Sequence, residues 1–114
     1  MSKSWIGVDL DGTLAFYDGW HGETHIGPPI PLMLARVKAW LAEGKEVRIL
    51  TARVGRTDPQ ELSDVTSAIQ KWCVEHVGVP LTVTATKDYS MVELWDDRCV
   101  QVIPNTGMRA DGKS

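Results

Sequence analysis

Trp5-Ile6-Gly7-Val8-Asp9-Leu10-Asp11-Gly12-Thr13 is the stretch that decides the fold of this chain. The short run 5–8 predicts a buried strand, and two carboxylates follow at its carboxyl end, where open α/β sheets build their sites. Asp9 and Asp11, one residue apart, leave an extended chain on the same side, while Gly12 lets the backbone turn sharply away. One carboxylate of such a pair can attack while the other moves a proton. Taken alone, an Asp-x-Asp pair also serves as a simple metal site or a loop cap.

Three later stretches strengthen the first reading. Thr51 ends the run Val47-Arg48-Ile49-Leu50, Lys87 follows Leu81-Thr82-Val83-Thr84-Ala85 and Thr86, and Asp96-Asp97 follow Val92-Glu93-Leu94-Trp95. Each places a polar or charged group where an apolar stretch stops.

Between these runs the pattern is that of alternating strands and helices. The segment 16–31 carries Gly19, Gly22, Gly27, Pro28, Pro29 and Pro31 and is too rich in breakers for more than a small hairpin. A helix is expected over about 32–43, with Met33, Val37, Trp40 and Leu41 on one face and Gly44 as its stop. Its neighbour strand is 46–50. The best-marked helix starts at Asp58 as cap, has Pro59 in its first turn and Glu61 at the capping-box position, and buries Leu62, Val65, Ile69, Trp72 and Cys73 before Gly78 and Pro80 end it. His76 falls on that helix as a surface or boundary residue. Two further strands, 92–95 and 100–103, complete a five-strand reading, and the connection between Lys87 and Glu93 is too short for a full helix.

At 114 residues, 43% hydrophobic and 24% charged, the chain is expected to be one globular domain over 1–114, with 107–114 a flexible tail. The net charge of −3 offers no general attraction to nucleic acid or anionic membrane, so any nucleic-acid contact must be local. Cys73 and Cys99 lack a metal-ligand or disulfide pattern and are expected to be reduced core thiols. No stretch approaches a membrane span and no leader is evident, which predicts a cytoplasmic protein.

In order and residue type, these motifs resemble the haloacid dehalogenase superfamily of aspartate-nucleophile phosphohydrolases, over nearly the whole chain. The resemblance implies a three-layer, Rossmann-like α/β fold with a mainly parallel sheet in the order 3-2-1-4-5 and no large cap domain. It implies Asp9 as nucleophile, Asp11 as general acid and base, Thr51 as phosphoryl ligand, Lys87 as charge neutraliser, and Mg²⁺ held by Asp9, Asp96 and Asp97 with the backbone carbonyl of Asp11. Gly12, Thr13 and Ala52 join the substrate-binding set. The chemistry is consistent with these types: phosphoryl transfer needs positive charge and an in-line nucleophile, and Mg²⁺ takes oxygen ligands.

A closer similarity, to the 3′-phosphatase domains of phage-type polynucleotide kinases, rests on Thr51-Ala52-Arg53 with Asp58-Pro59, on Lys71-Trp72, on Gly78-Val79-Pro80-Leu81, and on Asp96-Asp97-Arg98 with Val100. The similarity covers the phosphatase half of such enzymes, with no match to the kinase half. Arg53 and Arg56 are candidate phosphate contacts, because the guanidinium fork suits bidentate phosphate recognition. The 16–31 loop is a candidate lid, with Tyr17, Trp20, His21 and His25 available either to stack on a base or to pack on the sheet.

Other patterns are set aside. Gly107 to Ser114 matches a phosphate-binding loop letter by letter, but such a loop depends on amides at a helix amino terminus and is not expected to function here. His21 and His25 have zinc-ligand spacing, but the surrounding glycines argue against the helix this spacing needs. A phospho-acceptor receiver domain carries its acceptor on the third strand, not the first, and a non-catalytic binding module would not need the full set. The expected activity is a Mg²⁺-dependent phosphomonoesterase acting on a nucleic-acid 3′ end, on a nucleotide or on another small ester, with homo-oligomerisation open.

Overall fold

The computed structural model describes residues 4–113; residues 1–3 and Ser114, the last position of the phosphate-loop-like pattern, fall outside them. Four parallel strands form one sheet, β1 (Trp5–Val8), β2 (Glu46–Leu50), β3 (Thr82–Thr84) and β4 (Met91–Trp95), in the order β3-β2-β1-β4. β1 pairs with β2 on one side, Val8 opposite Ile49, and with β4 on the other, Val8 opposite Trp95. The chain steps outward from β1 to β3 and then returns to the opposite flank of β1. The carboxyl end of β1 is therefore the switch point at which such sheets open a crevice.

Helix α1 (Pro31–Ala42) has no side-chain cap, and Pro31 starts it with a φ already suited to the first turn. Met33 and Val37 are its buried face, and Trp40 packs against Trp95 with ring centroids 5.2 Å apart. Helix α2 (Pro59–His76) begins as expected: the Asp58 carboxylate accepts from the Glu61 N–H at 2.9 Å. The reciprocal half of the capping box is not made; the Glu61 carboxylate lies 3.5 Å from Arg56 instead. Val65, Ile69, Trp72 and Cys73 face inward and join Ile6, Val8, Leu10, Leu14 and Ile49 in one apolar cluster.

The fifth strand expected over 100–103 is not part of the sheet. Val100, Val102 and Ile103 are all about half exposed, so no apolar neighbour is there to bury them. Pro104 has no N–H for a ladder, and the turn through Asn105, with φ of 66°, sends the chain back on itself. The Ile103 N–H bonds the Met108 carbonyl at 2.8 Å and the Ala110 N–H bonds the Gln101 carbonyl at 2.8 Å. Val102 and Arg109 thus meet in an antiparallel bridge outside the sheet. Cys99 also departs from expectation: it is exposed, whereas Cys73 is buried and burial pushes its thiol up to about 11, leaving it unreactive. No helix among the described residues is long and apolar enough to cross a membrane.

Ile49 is fully buried at the centre of the cluster. Ile49→Ala should cost about 2–5 kcal/mol, with urea unfolding as the measurement. Asp58→Ala, which removes one exposed cap, should cost only about 1 kcal/mol in the same assay.

Candidate functional site

The four strand ends deliver polar and charged side chains to one place. A cavity of about 700 Å³ is lined by Asp9 and Asp11 after β1, Thr51 and Arg53 after β2, Lys87 after β3, and Asp96, Asp97 and Arg98 after β4. Tyr17 and Trp20 of the 16–31 loop complete its wall.

Asp9 stands where β1 loses its pairing: its own N–H still bonds the Trp95 carbonyl at 2.9 Å, which holds the aspartate directly against the end of β4. Carboxylate oxygens of Asp9, Asp96 and Asp97 all lie within 4.8 Å of one another. Burial and, next, the charges of Asp96 and Asp97 push the Asp9 carboxyl up to about 7. Three carboxylates this close repel unless a proton or a cation sits among them, and their hard oxygens suit a divalent ion such as Mg²⁺. Thr13 braces the group. Its hydroxyl accepts from the Asp97 N–H at 3.0 Å and lies 3.4 Å from both Asp9 Oδ2 and Asp97 Oδ1.

Gly12 is required here for two reasons. Its φ of 87° is in the left-handed region, and a Cβ at this position would run into the Asp97 carboxylate.

Asp11 does not join the three-carboxylate group. Its two oxygens accept from Arg53 Nε at 2.8 Å and from Arg53 Nη2 at 2.9 Å, a bidentate pair. Arg53 is only 7% exposed. A guanidinium so placed must be satisfied from several sides, and Nη1 donates to the Glu23 carbonyl at 2.9 Å while the Trp20 ring covers the plane at 4.9 Å. The Thr51 side chain accepts from the Arg53 N–H at 3.2 Å and caps the short 3₁₀ turn 52–54, which aims Arg53 back across the cavity. Ala52, at the head of that turn, lines the cavity.

Arg56 is also occupied. It donates to the Arg53 carbonyl at 2.8 Å and pairs with Glu23 at 2.8 Å. Both arginines expected to hold phosphate are thus bound to protein groups. Among the described residues, Lys87 and Arg98 are the cavity-lining cations whose side chains make no hydrogen bond or ion pair. Lys87 is presented by a tight turn in which the Thr86 N–H donates to the Thr84 hydroxyl at 3.0 Å, and Asp88 is pinned by Trp5 Nε1 at 2.8 Å. Arg98 makes no side-chain pair with Asp96; its backbone N–H donates to Asp96 Oδ1 at 2.8 Å.

Glu23 had no expectation in the sequence, and Trp72 was expected only as a core residue of α2. Glu23 bonds Arg53 through its carbonyl and Arg56 through its carboxylate. Trp72 Nε1 donates to the Gly27 carbonyl at 2.9 Å and ties the loop base to α2. A Cβ at Gly27 would strike the Phe16 carbonyl, so Gly27 is fixed by the close crossing of the loop's two arms. His21 pairs with Asp18 at 2.8 Å and meets His25 edge to face, with no third metal-type ligand grouped with them among the described residues.

No protein-family model and no curated protein matches the chain. A solved structure of a conserved protein from Bacteroides thetaiotaomicron superposes with a TM-score of 0.57 at 23% identity, covering 91% of this chain and 84% of that one. The likeness is one of fold.

The Asp9 carboxyl, raised from 3.8 to about 7, gives a measurable signature. Between about pH 4 and pH 7 the folded chain keeps a proton that the unfolded chain has lost, so this group lowers stability as pH rises through that window. Without divalent ions, the unfolding temperature should carry this downward contribution, and Asp9→Asn should remove it. Mg²⁺ should raise the unfolding temperature more at about pH 7 than at about pH 5, because it competes with the proton. An equal rise at both pH values, or one that persists in Asp9→Asn, would place the cation elsewhere.

Proposed function

We propose that this chain is a Mg²⁺-dependent phosphomonoester hydrolase of the haloacid dehalogenase type, working through an aspartyl-phosphate on Asp9. The observation that supports this most is the convergence of Asp9, Thr51, Lys87 and the Asp96-Asp97 pair on one cavity, from the carboxyl ends of all four strands. These are the residue types phosphoryl transfer demands: a carboxylate to attack, a hydroxyl and a cation for the equatorial oxygens, and oxygen ligands for a metal.

In this reading Asp9 attacks phosphorus in line with the leaving oxygen, and the bond between phosphorus and that oxygen breaks. Asp11 gives the departing oxygen its proton, then takes one from the water that attacks the phosphoryl group and releases Asp9. Arg53 fixes the plane of Asp11 and fills one acceptor site on each carboxylate oxygen, which leaves a second site for the proton. Thr51 and Lys87 hold the phosphoryl oxygens, with Gly12 and Thr13 shaping the turn beneath. Asp9, Asp96 and Asp97, with the Asp11 backbone carbonyl that the resemblance adds, would hold Mg²⁺, which would supply positive charge against the phosphoryl group.

Occupation of Arg53 and Arg56 by Asp11 and Glu23 favours a small ester over a nucleic-acid end. Lys87 and Arg98 together match one phosphate, whereas a polynucleotide needs a row of cations along its backbone. The net charge of −3 points the same way.

The test is Mg²⁺-dependent phosphate release from 3′-phosphorylated oligonucleotides, 5′-phosphorylated oligonucleotides and mononucleotides. Mononucleotides should be the better substrates, and a strong preference for the 3′-phosphorylated oligomer would reverse the substrate assignment. Asp9→Asn should lower turnover by about three orders of magnitude or more while leaving the fold intact. Asp11→Asn should lose about 10²–10⁴-fold on alkyl phosphates and much less on an ester with a low-pKa leaving group. Equal losses on both would remove general-acid assistance from the role of Asp11.

A further inference from the structure

Of the five tryptophans, Trp20 is the one left standing in the open. Trp5 is fully buried, Trp72 is 7% exposed, and Trp40 and Trp95 pack on each other, but Trp20 is 54% exposed on the wall of the catalytic cavity. It is not a loose surface ring. One face lies over the Arg53 guanidinium, 4.9 Å from centroid to carbon, and that guanidinium is itself buried and held by Asp11 and by the Glu23 carbonyl. The charge beneath draws on the ring's electron density and fixes its attitude. No ring among the described residues packs on the opposite face.

Two neighbours share this exposure. Tyr17, 41% exposed, lines the same cavity and an adjoining one of about 460 Å³, and Phe16 beside it is 52% exposed. Three half-exposed aromatics within five residues carry a cost in water that a ligand face would offset. The cavity of about 700 Å³ is far larger than a phosphate group needs and is of the size that takes a whole small ligand.

Resting on the phosphomonoesterase reading of this cavity, we infer that Trp20 is a specificity-determining residue that stacks its free face on a planar heteroaromatic ring in the leaving group, so that the substrate class is a nucleoside monophosphate and not a bare sugar phosphate. The phosphate lies at Asp9, Thr51 and Lys87, and the ring lies on the loop side, against Trp20. Stacking of this kind selects a π-face without reading its hydrogen-bonding edge, so purine and pyrimidine nucleotides are both accepted.

The experiment compares kcat/KM for a nucleoside monophosphate with that for ribose 5-phosphate in the presence of Mg²⁺, on the full chain and on Trp20→Phe and Trp20→Ala. The nucleotide should be preferred by about tenfold or more, because one stacked ring contributes on that order. Trp20→Phe should keep most of this preference, and Trp20→Ala should collapse it through KM. A ratio near one in the unaltered chain, or a ratio that survives Trp20→Ala, overturns the inference. Calorimetric titration of the same two compounds into the unaltered chain with Mg²⁺ keeps the two readings apart. If no ester releases phosphate, the phosphomonoesterase reading fails, while tighter binding of the nucleotide still supports stacking and equal dissociation constants reject it.

Discussion

Pairing of β1 on both flanks is the constraint from which the rest of the molecule follows. A strand hydrogen-bonded on each side and covered on each face has no room for a charge along its length, and Trp5, Ile6 and Val8 are all buried. Even a methyl group is crowded at Gly7, where a Cβ would lie 3.1 Å from the Met91 sulfur and 3.2 Å from the Trp5 ring. Polar chemistry on this strand can begin only where its pairing ends, at Asp9. Because β2 and β4 run parallel to it, their own polar residues emerge at the same level.

Charge at that level is arranged in two separate groups. Asp9, Asp96 and Asp97 repel one another across less than 4.8 Å, and that unfavourable arrangement is what a divalent ion would relieve. Asp11, two residues along, belongs to the other group and is matched by a buried arginine. Asp9 faces β4 and Asp11 faces the segment after β2. Two carboxylates of one short motif therefore have different partners, as is needed if one is to react as a nucleophile and the other to handle protons.

Much of this was legible in the sequence where local rules and the fold agree. Apolar runs ending in a charged or hydroxyl residue marked β1, β2, β3 and β4, and Asp58-Pro59 marked the start of α2, because strand burial and helix capping are set by near neighbours. The run 100–103 has the same composition as a strand but lies beyond the sheet, and composition does not say whether a neighbour exists to cover it. Arg53 and Arg56 were visible as cations near Thr51. Their partners were not, since Asp11 lies 42 residues from Arg53, and Glu23 lies 33 from Arg56, in a loop without periodicity. Cys99 illustrates the same limit, since burial of an isolated cysteine depends on what packs over it.

The loop 16–31 is attached in two unequal ways. Its base is bound to the hydrophobic body by the Ile30 N–H to the Leu14 carbonyl at 2.7 Å and by Trp72 to Gly27, while its tip meets the protein through two arginines and the surface of a ring. Residues of the tip, Tyr17 to His25, contribute nothing to the apolar cluster. The tip can therefore exchange an exposed side chain without disturbing the core, whereas a change that moved the Glu23 carbonyl would leave buried Arg53, and through it Asp11, short of a partner. The loop is thus anchored to the body by its base and suspended over the carboxylates by buried Arg53, so the tip communicates with Asp11 through a charge and not through the core.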